Sequence, residues 1–180
     1  MYEFKKQLTV GQRGAQLFHE RFKTEFKLTR TDGKEGDFIM GKHRLELKTD
    51  DRAIGSTENI FIEQYRNTNS YAPGGPWQAK EHGCKYFAYY FWNDNKYFLF
   101  NTDKLLKGLP KLIKGKNPIE ICNSSYPRLG FIIPFNEIIS LTLKCNTTID
   151  ELNEFKKRYE SNAMKRGYRY FLEFKNKNIA

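Results

Sequence analysis

The stretch GDFIMGKHRLELKTD, residues 36–50, constrains the fold more than any other part of the chain. Apolar and polar residues alternate after Gly41-Lys42, a Gly-first dipeptide that suits a two-residue II′ turn, and the apolar run Phe38–Met40 precedes it. A hairpin closed there pairs Met40 with His43, Ile39 with Arg44, Phe38 with Leu45 and Asp37 with Glu46. Side chains alternate along a strand, so Phe38, Leu45 and Leu47 share one face and pack together. Asp37, Glu46 and Lys48 fall on the other face. Like charges directly opposite each other destabilise a sheet. Two carboxylates about 5 Å apart need a divalent cation between them, or a proton on one of them. Hard oxygen ligands of this kind suit Mg²⁺ or Mn²⁺. Lys48, two residues beyond Glu46, can orient an attacking water or offset charge developing on a phosphate.

The rest of the chain reads as helices and strands around that hairpin. Thr9 is placed to cap a first helix ending near Phe26, with Leu17, Phe18, Phe22 and Phe26 at helical spacing. Leu28–Arg30 reads as a short strand, and Thr31–Gly36 as a turn-rich loop. Asn59–Gln64 reads as a strand, and Pro76–His82 as a short helix with Pro at its first position. Lys85–Trp92 and Lys96–Asn101 form a second hairpin. Asp103 is placed to cap a helix over Lys104–Lys114, interrupted by Pro110. A strand is expected at Leu129–Ile133. A charged C-terminal helix is expected from Asp150 to about Arg166. This order suits an α/β fold, a mixed central sheet flanked by helices. The 180 residues favour one domain, with a core over about 8–101 and a basic helical extension over about 103–180.

Composition narrows the partners. The formal net charge is +10, which favours a polyanion, nucleic acid before an anionic membrane. No window approaches the ~18 apolar residues of a membrane span. Cys84, Cys122 and Cys145 have no CxxC spacing and read as reduced thiols, hence a cytoplasmic setting, or a host cytoplasm for a phage protein.

The Asp37, Glu46-Leu47-Lys48 constellation resembles the PD-(D/E)xK nuclease superfamily: an acid at a strand start, a hairpin, then E-x-K on the next strand. Many members add a Glu on the preceding helix. Here Glu20, within GQRGAQLFHERF, best matches it, and that helix is similar to those of Holliday-junction resolvases and related endonucleases. NIFIEQYRN followed by GGPWQAKEHGCKYFAYYF resembles small phage-type members. The resemblance covers roughly the first 100 residues. Gly36 stands where the family usually has Pro. The tripeptide alone carries little weight, because Glu3-Phe-Lys5, Glu25-Phe-Lys27, Asp32-Gly-Lys34, Asp94-Asn-Lys96, Glu154-Phe-Lys156 and Glu173-Phe-Lys175 repeat it. Only Glu46-Leu47-Lys48 has the alternating strand, the tight hairpin, the opposed Asp and the upstream Glu.

The resemblance implies a restriction-endonuclease-like core and a Mg²⁺-dependent deoxyribonuclease, with Mn²⁺ able to substitute. Asp37, Glu46 and Glu20 hold the metal, with Leu47 among the metal-holding positions, and Lys48 positions the attacking water. Glu63 and Gln64 are auxiliary candidates at the end of an apolar strand. Lys80, Arg52, Trp77, Lys156, Lys157 and Arg158 are candidates for contacting DNA, cations because they dominate nucleic-acid affinity. Tyr71 joins Trp77 as a contact if single strands bind. Lys165, Arg166 and Arg169 add to the basic C-terminal cluster. His19, His43 and His82 show no metal-ligand spacing. A homodimer would give a duplex cutter two sites. The alternatives are a non-catalytic nucleic-acid-binding protein and an RNA-directed nuclease.

Overall fold

In this computed structural model of the protein, residues 2–122 and 126–162 are described. Helix α1 spans Tyr2–Phe26. Three antiparallel strands follow: β1 (Leu28–Gly33), β2 (Gly36–Met40) and β3 (His43–Asp50). A one-turn 3₁₀ segment (Ile54–Ser56) leads to β4 (Asn59–Asn67), β5 (Ala72–Pro73) and α2 (Gly75–Glu81). Then come β6 (Tyr86–Phe91), β7 (Lys96–Asn101) and α3 (Thr102–Ile113). Strands β8 (Ile119–Ile121) and β9 (Arg128–Pro134), short α4 (Phe135–Ile138) and β10 (Lys144–Cys145) follow. Helix α5 covers residues 149–162.

Among the described residues the strands form two sheets. The larger has the order β1-β2-β3-β6-β7-β10 and is mixed, because β3 and β6 run parallel. The smaller has the order β5-β4-β9-β8 and is antiparallel. The architecture is therefore α/β, a mixed central sheet with helices against it. One face is covered by α1: Phe18, Phe22 and Phe26 bury with Phe38, Leu45, Ala88, Tyr90 and Tyr97. Each phenylalanine and leucine among them contributes roughly 1.5–3 kcal/mol by leaving water. On the other face Phe87, Tyr89, Phe91, Phe98 and Phe100 meet Ile60, Ile62 and Ile133 of the smaller sheet and Leu105 and Leu109 of α3.

This layering fixes which way β3 points its side chains. Leu45 and Leu47 belong to the α1 side. Glu46, Lys48 and Asp50 therefore point toward the smaller sheet, where Asp50 accepts a hydrogen bond from Tyr89 (2.8 Å).

Several local expectations are corrected. Helix α1 begins at Tyr2, not after Thr9; no Pro or Gly lies between residues 2 and 10 to stop it. Strand β1 runs to Gly33 instead of ending at Arg30, with an irregular register between Arg30 and Gly33. Asn101, not Asp103, caps α3, its side chain accepting from the Lys104 N–H (3.0 Å). Pro110 lies inside α3 without ending it. Helix α5 starts after Thr148, not at Asp150. There Thr148 and Glu151 satisfy each other's backbone N–H groups at 3.2 and 3.1 Å, a capping box.

The expected boundary near residue 102 is crossed by strand pairing: β9 pairs with β4, and β10 with β7. Lys165, Arg166 and Arg169 lie outside the described residues. All three cysteines are free thiols. Among the described residues no helix is long and apolar enough to cross a membrane.

Candidate active site

The hairpin forms with the expected register, Met40↔His43, Ile39↔Arg44 and Phe38↔Leu45. The positive φ of its turn falls on Gly41 (+62°) and not on Lys42, as a II′ turn requires. The ladder then opens. Continued regularly, it would give the Leu47 N–H to the Gly36 carbonyl. Instead Leu47 N–H donates to Asp37 Oδ2 (2.8 Å), and the Gly36 carbonyl accepts from the Thr31 hydroxyl. The carboxylate of Asp37 is thereby tied to the backbone between Glu46 and Lys48.

Gly36 explains itself here. Its φ of +103° is closed to proline and strained for any L side chain, and a Cβ would lie 3.2 Å from the Leu45 carbonyl oxygen and 2.7 Å from Cys84 Sγ. The Pro of the family pattern does not fit this backbone. Gly36→Ala should cost about 2 kcal/mol or more of stability, read as a lowered urea midpoint at unchanged slope. An unchanged midpoint would show that the strand start is not held as described.

Electrostatics mark the same place. Burial pushes the Glu46 carboxyl up to about 8, and the nearby Asp37 pushes it the same way, against the pull of Lys48 and Arg66. Burial also raises Asp37, against the Leu47 N–H, Arg30 and His82. His82, at the end of α2, places Nδ1 3.9 Å from Glu46 Oε2. That nitrogen is buried and has no hydrogen-bond partner. Burial, with Glu46 second, pushes the Cys84 thiol up to about 12, so it is no nucleophile at neutral pH.

Lys48 Nζ lies 3.5 Å from Glu63 Oε2, and Arg128 Nη1 lies 3.6 Å from Glu63 Oε1. Glu63 is only 6% exposed. Gln64 is half-buried; it is the extra residue of a β-bulge, since Glu63 pairs with Gly130 and Tyr65 with Leu129.

The structure thus brings Asp37, Glu46, Lys48 and Glu63 to one side of the central sheet. Glu20 is elsewhere. It is exposed on α1, the helix covering the opposite face, and accepts from Gln16 Nε2 (2.8 Å). Among the described residues no group of three or more His, Cys, Asp or Glu is arranged to hold a metal ion. The donor set nearest to one is the carboxylate pair; the Leu47 N–H bound to Asp37 is a proton donor and no metal ligand. A pair of carboxylates still fits Mg²⁺, which usually takes one or two and fills its octahedron with water and phosphate oxygens.

The expected DNA contacts are mostly engaged within the protein. Arg52 forks Asp50, with Nε at 3.0 Å and Nη2 at 2.6 Å. Burial works against charge on Asp50, but these bonds hold its carboxyl below the usual range. Lys80 pairs with Asp103 (2.6 Å), Lys156 with Glu58, and Arg158 with Glu154 (3.3 Å). Lys157 is exposed, and Trp77 packs partly buried against the core. Tyr71 is 72% exposed. Arg128, His82, Arg30 and Arg66 join the site without having been anticipated in those places. They come from β9, the end of α2, β1 and β4, and no local pattern links them to the hairpin.

No family model matches this chain, and no curated protein or solved structure matches it either.

Proposed function

We propose that this protein is a metal-dependent nuclease that hydrolyses phosphodiester bonds in DNA, with a restriction-endonuclease-like core of the PD-(D/E)xK type. The observation that carries this reading is the opened hairpin, where Asp37 and Glu46 share a half-buried site with a carboxyl pushed up to about 8 and Lys48 on the same face. Carboxyls so perturbed by burial and by each other gather at functional sites. Asp37 and Glu46 would hold Mg²⁺ or Mn²⁺. A bound divalent ion supplies Lewis-acid polarisation of the phosphate and a more acidic water. Asp37 keeps its orientation through the Leu47 N–H. Lys48 orients the attacking water and offsets the charge that develops on the phosphate. Cutting both strands of a duplex needs two such sites, so a homodimer is the proposed working form.

A second reading has an observation in its favour. Glu20 is outside the pair, and among the described residues no third His, Cys, Asp or Glu joins it, as expected of a non-catalytic nucleic-acid-binding protein with this core. Incubation with supercoiled plasmid, linear duplex, single strands, a four-way junction and matched RNA, in Mg²⁺, Mn²⁺ or EDTA, separates the readings. Metal-dependent cutting is expected on DNA. Salt-sensitive binding without product would select the binding protein, and cutting confined to RNA would select the ribonuclease.

A further inference from the structure

Glu63 is buried between two cations, Lys48 at 3.5 Å from one of its oxygens and Arg128 at 3.6 Å from the other. A carboxylate taken out of water is costly unless it is paired. Yet the chain is shaped to keep it there. The bulge at Gln64 breaks the alternation of β4 beside it. The Gly74-Gly75 turn then closes over it. A Cβ on Gly74 would lie 2.7 Å from Glu63 Cγ and 2.8 Å from Oε2, and one on Gly75 would lie 2.7 Å from the Glu63 carbonyl oxygen. Gly75 also has a φ of +47°. Only glycines allow that approach. Lys48 is the opposite kind of residue, a long flexible stem, here 30% exposed, whose ammonium has no place of its own without a partner.

We propose that Glu63 is a positioning residue that holds the Lys48 ammonium beside Asp37 and Glu46, where charge develops on the scissile phosphate. This rests on the nuclease reading above. Oε2 faces Lys48, while the buried Oε1 meets Arg128 at ion-pair distance without a hydrogen bond, so Glu63 acts through the Lys48 ammonium. Displacing a catalytic group by about 1 Å costs on the order of 100-fold in rate.

The test is single-turnover cleavage of plasmid DNA by the full chain, with Mn²⁺ affinity measured by calorimetry on the same preparations. Glu63→Gln should lower the cleavage rate about 100-fold while Mn²⁺ and DNA affinities stay within about threefold. In the Lys48→Ala background the same substitution should cost less than about twofold, since two residues acting as a unit are not additive. A merely structural role would lower both backgrounds alike. Gly74→Ala, which leaves every charge in place but crowds Glu63, should repeat the loss and keeps the test open if Glu63→Gln fails to fold. A Glu63→Gln rate within threefold of the parent, or an equal loss in both backgrounds, overturns the positioning role and leaves the nuclease reading standing. A parent protein that cuts nothing with any metal overturns both.

Discussion

Glu46→Ala and Asp37→Ala should each lower metal-dependent DNA cleavage by at least about 10³-fold, with folding and most DNA binding retained. The expectation rests on geometry. Asp37 and Glu46 are the carboxylates that the opened ladder brings together, and either one alone is a weak site for a hard divalent cation. Lys48→Ala should cost about 10²- to 10³-fold by the same assay, without loss of Mn²⁺ binding, because its charge acts on the phosphate and not on the ion. From the sequence, Glu20→Ala would be expected to match these losses. With Glu20 exposed on the far side of the sheet and bonded to Gln16, the structure makes a loss of no more than a few-fold the expected result. Undiminished cleavage by the Asp37 and Glu46 variants would remove the mechanism altogether.

The hairpin was legible because each of its causes is local. Gly41 fixes the turn, and the alternation from Leu45 to Lys48 fixes the faces. The register came out as the pattern dictates from Met40 to Phe38. The rung beyond it did not, because Gly36 and Thr31 divert the ladder through a φ and a hydroxyl that alternation does not encode. The second sheet was illegible for another reason. Strand β4 was visible as an apolar run, but its partner β9 lies more than sixty residues later, and nothing in NIFIEQYRN names RLGFIIP as its neighbour. Arg128 enters the site on that strand, so it could not be foreseen. Glu63 was visible as a candidate because it ends an apolar strand. Its pairing with Lys48 needed the layer arrangement. The basic residues show a further limit of reading charge alone. Arg52 and Lys80 count toward the net +10, yet each is bound to a carboxylate of the protein itself. Surface pairs such as Lys80–Asp103 are weak enough to yield to a phosphate; the Arg52 fork on a buried carboxylate is not.

In metal-free buffer the protein should lose stability as pH rises from about 5 to 8, and Glu46→Gln should abolish most of that loss. The Glu46 carboxyl is pushed from 4.5 up to about 8, mainly by burial. Between those values the folded state holds a proton that the unfolded state has released. Stability falls with pH wherever the folded state binds more protons, so the slope is negative across this window and flattens above about 8. A shift from 4.5 to about 8 corresponds to about 5 kcal/mol at most, and the raised Asp37 carboxyl acts in the same direction. An amide of nearly the same shape cannot ionise. The Gln variant should therefore match the parent within about 1 kcal/mol at pH 5 and exceed it by several at pH 8. Mn²⁺ should close much of that gap. Bound at about 100 times its Kd, it stabilises the parent by about 2.7 kcal/mol at pH 8, and the variant, lacking one carboxylate, gains far less. Because the ion must displace the Glu46 proton, its apparent affinity should climb with pH up to about 8. Urea melts of both proteins at pH 5 and 8, in EDTA and in Mn²⁺, read all of this in one experiment. A parent midpoint that is flat in EDTA from pH 5 to 8 would mean that Glu46 is ionised and solvated in the folded protein, and that the carboxylate pair is not confined as the opened hairpin shows it.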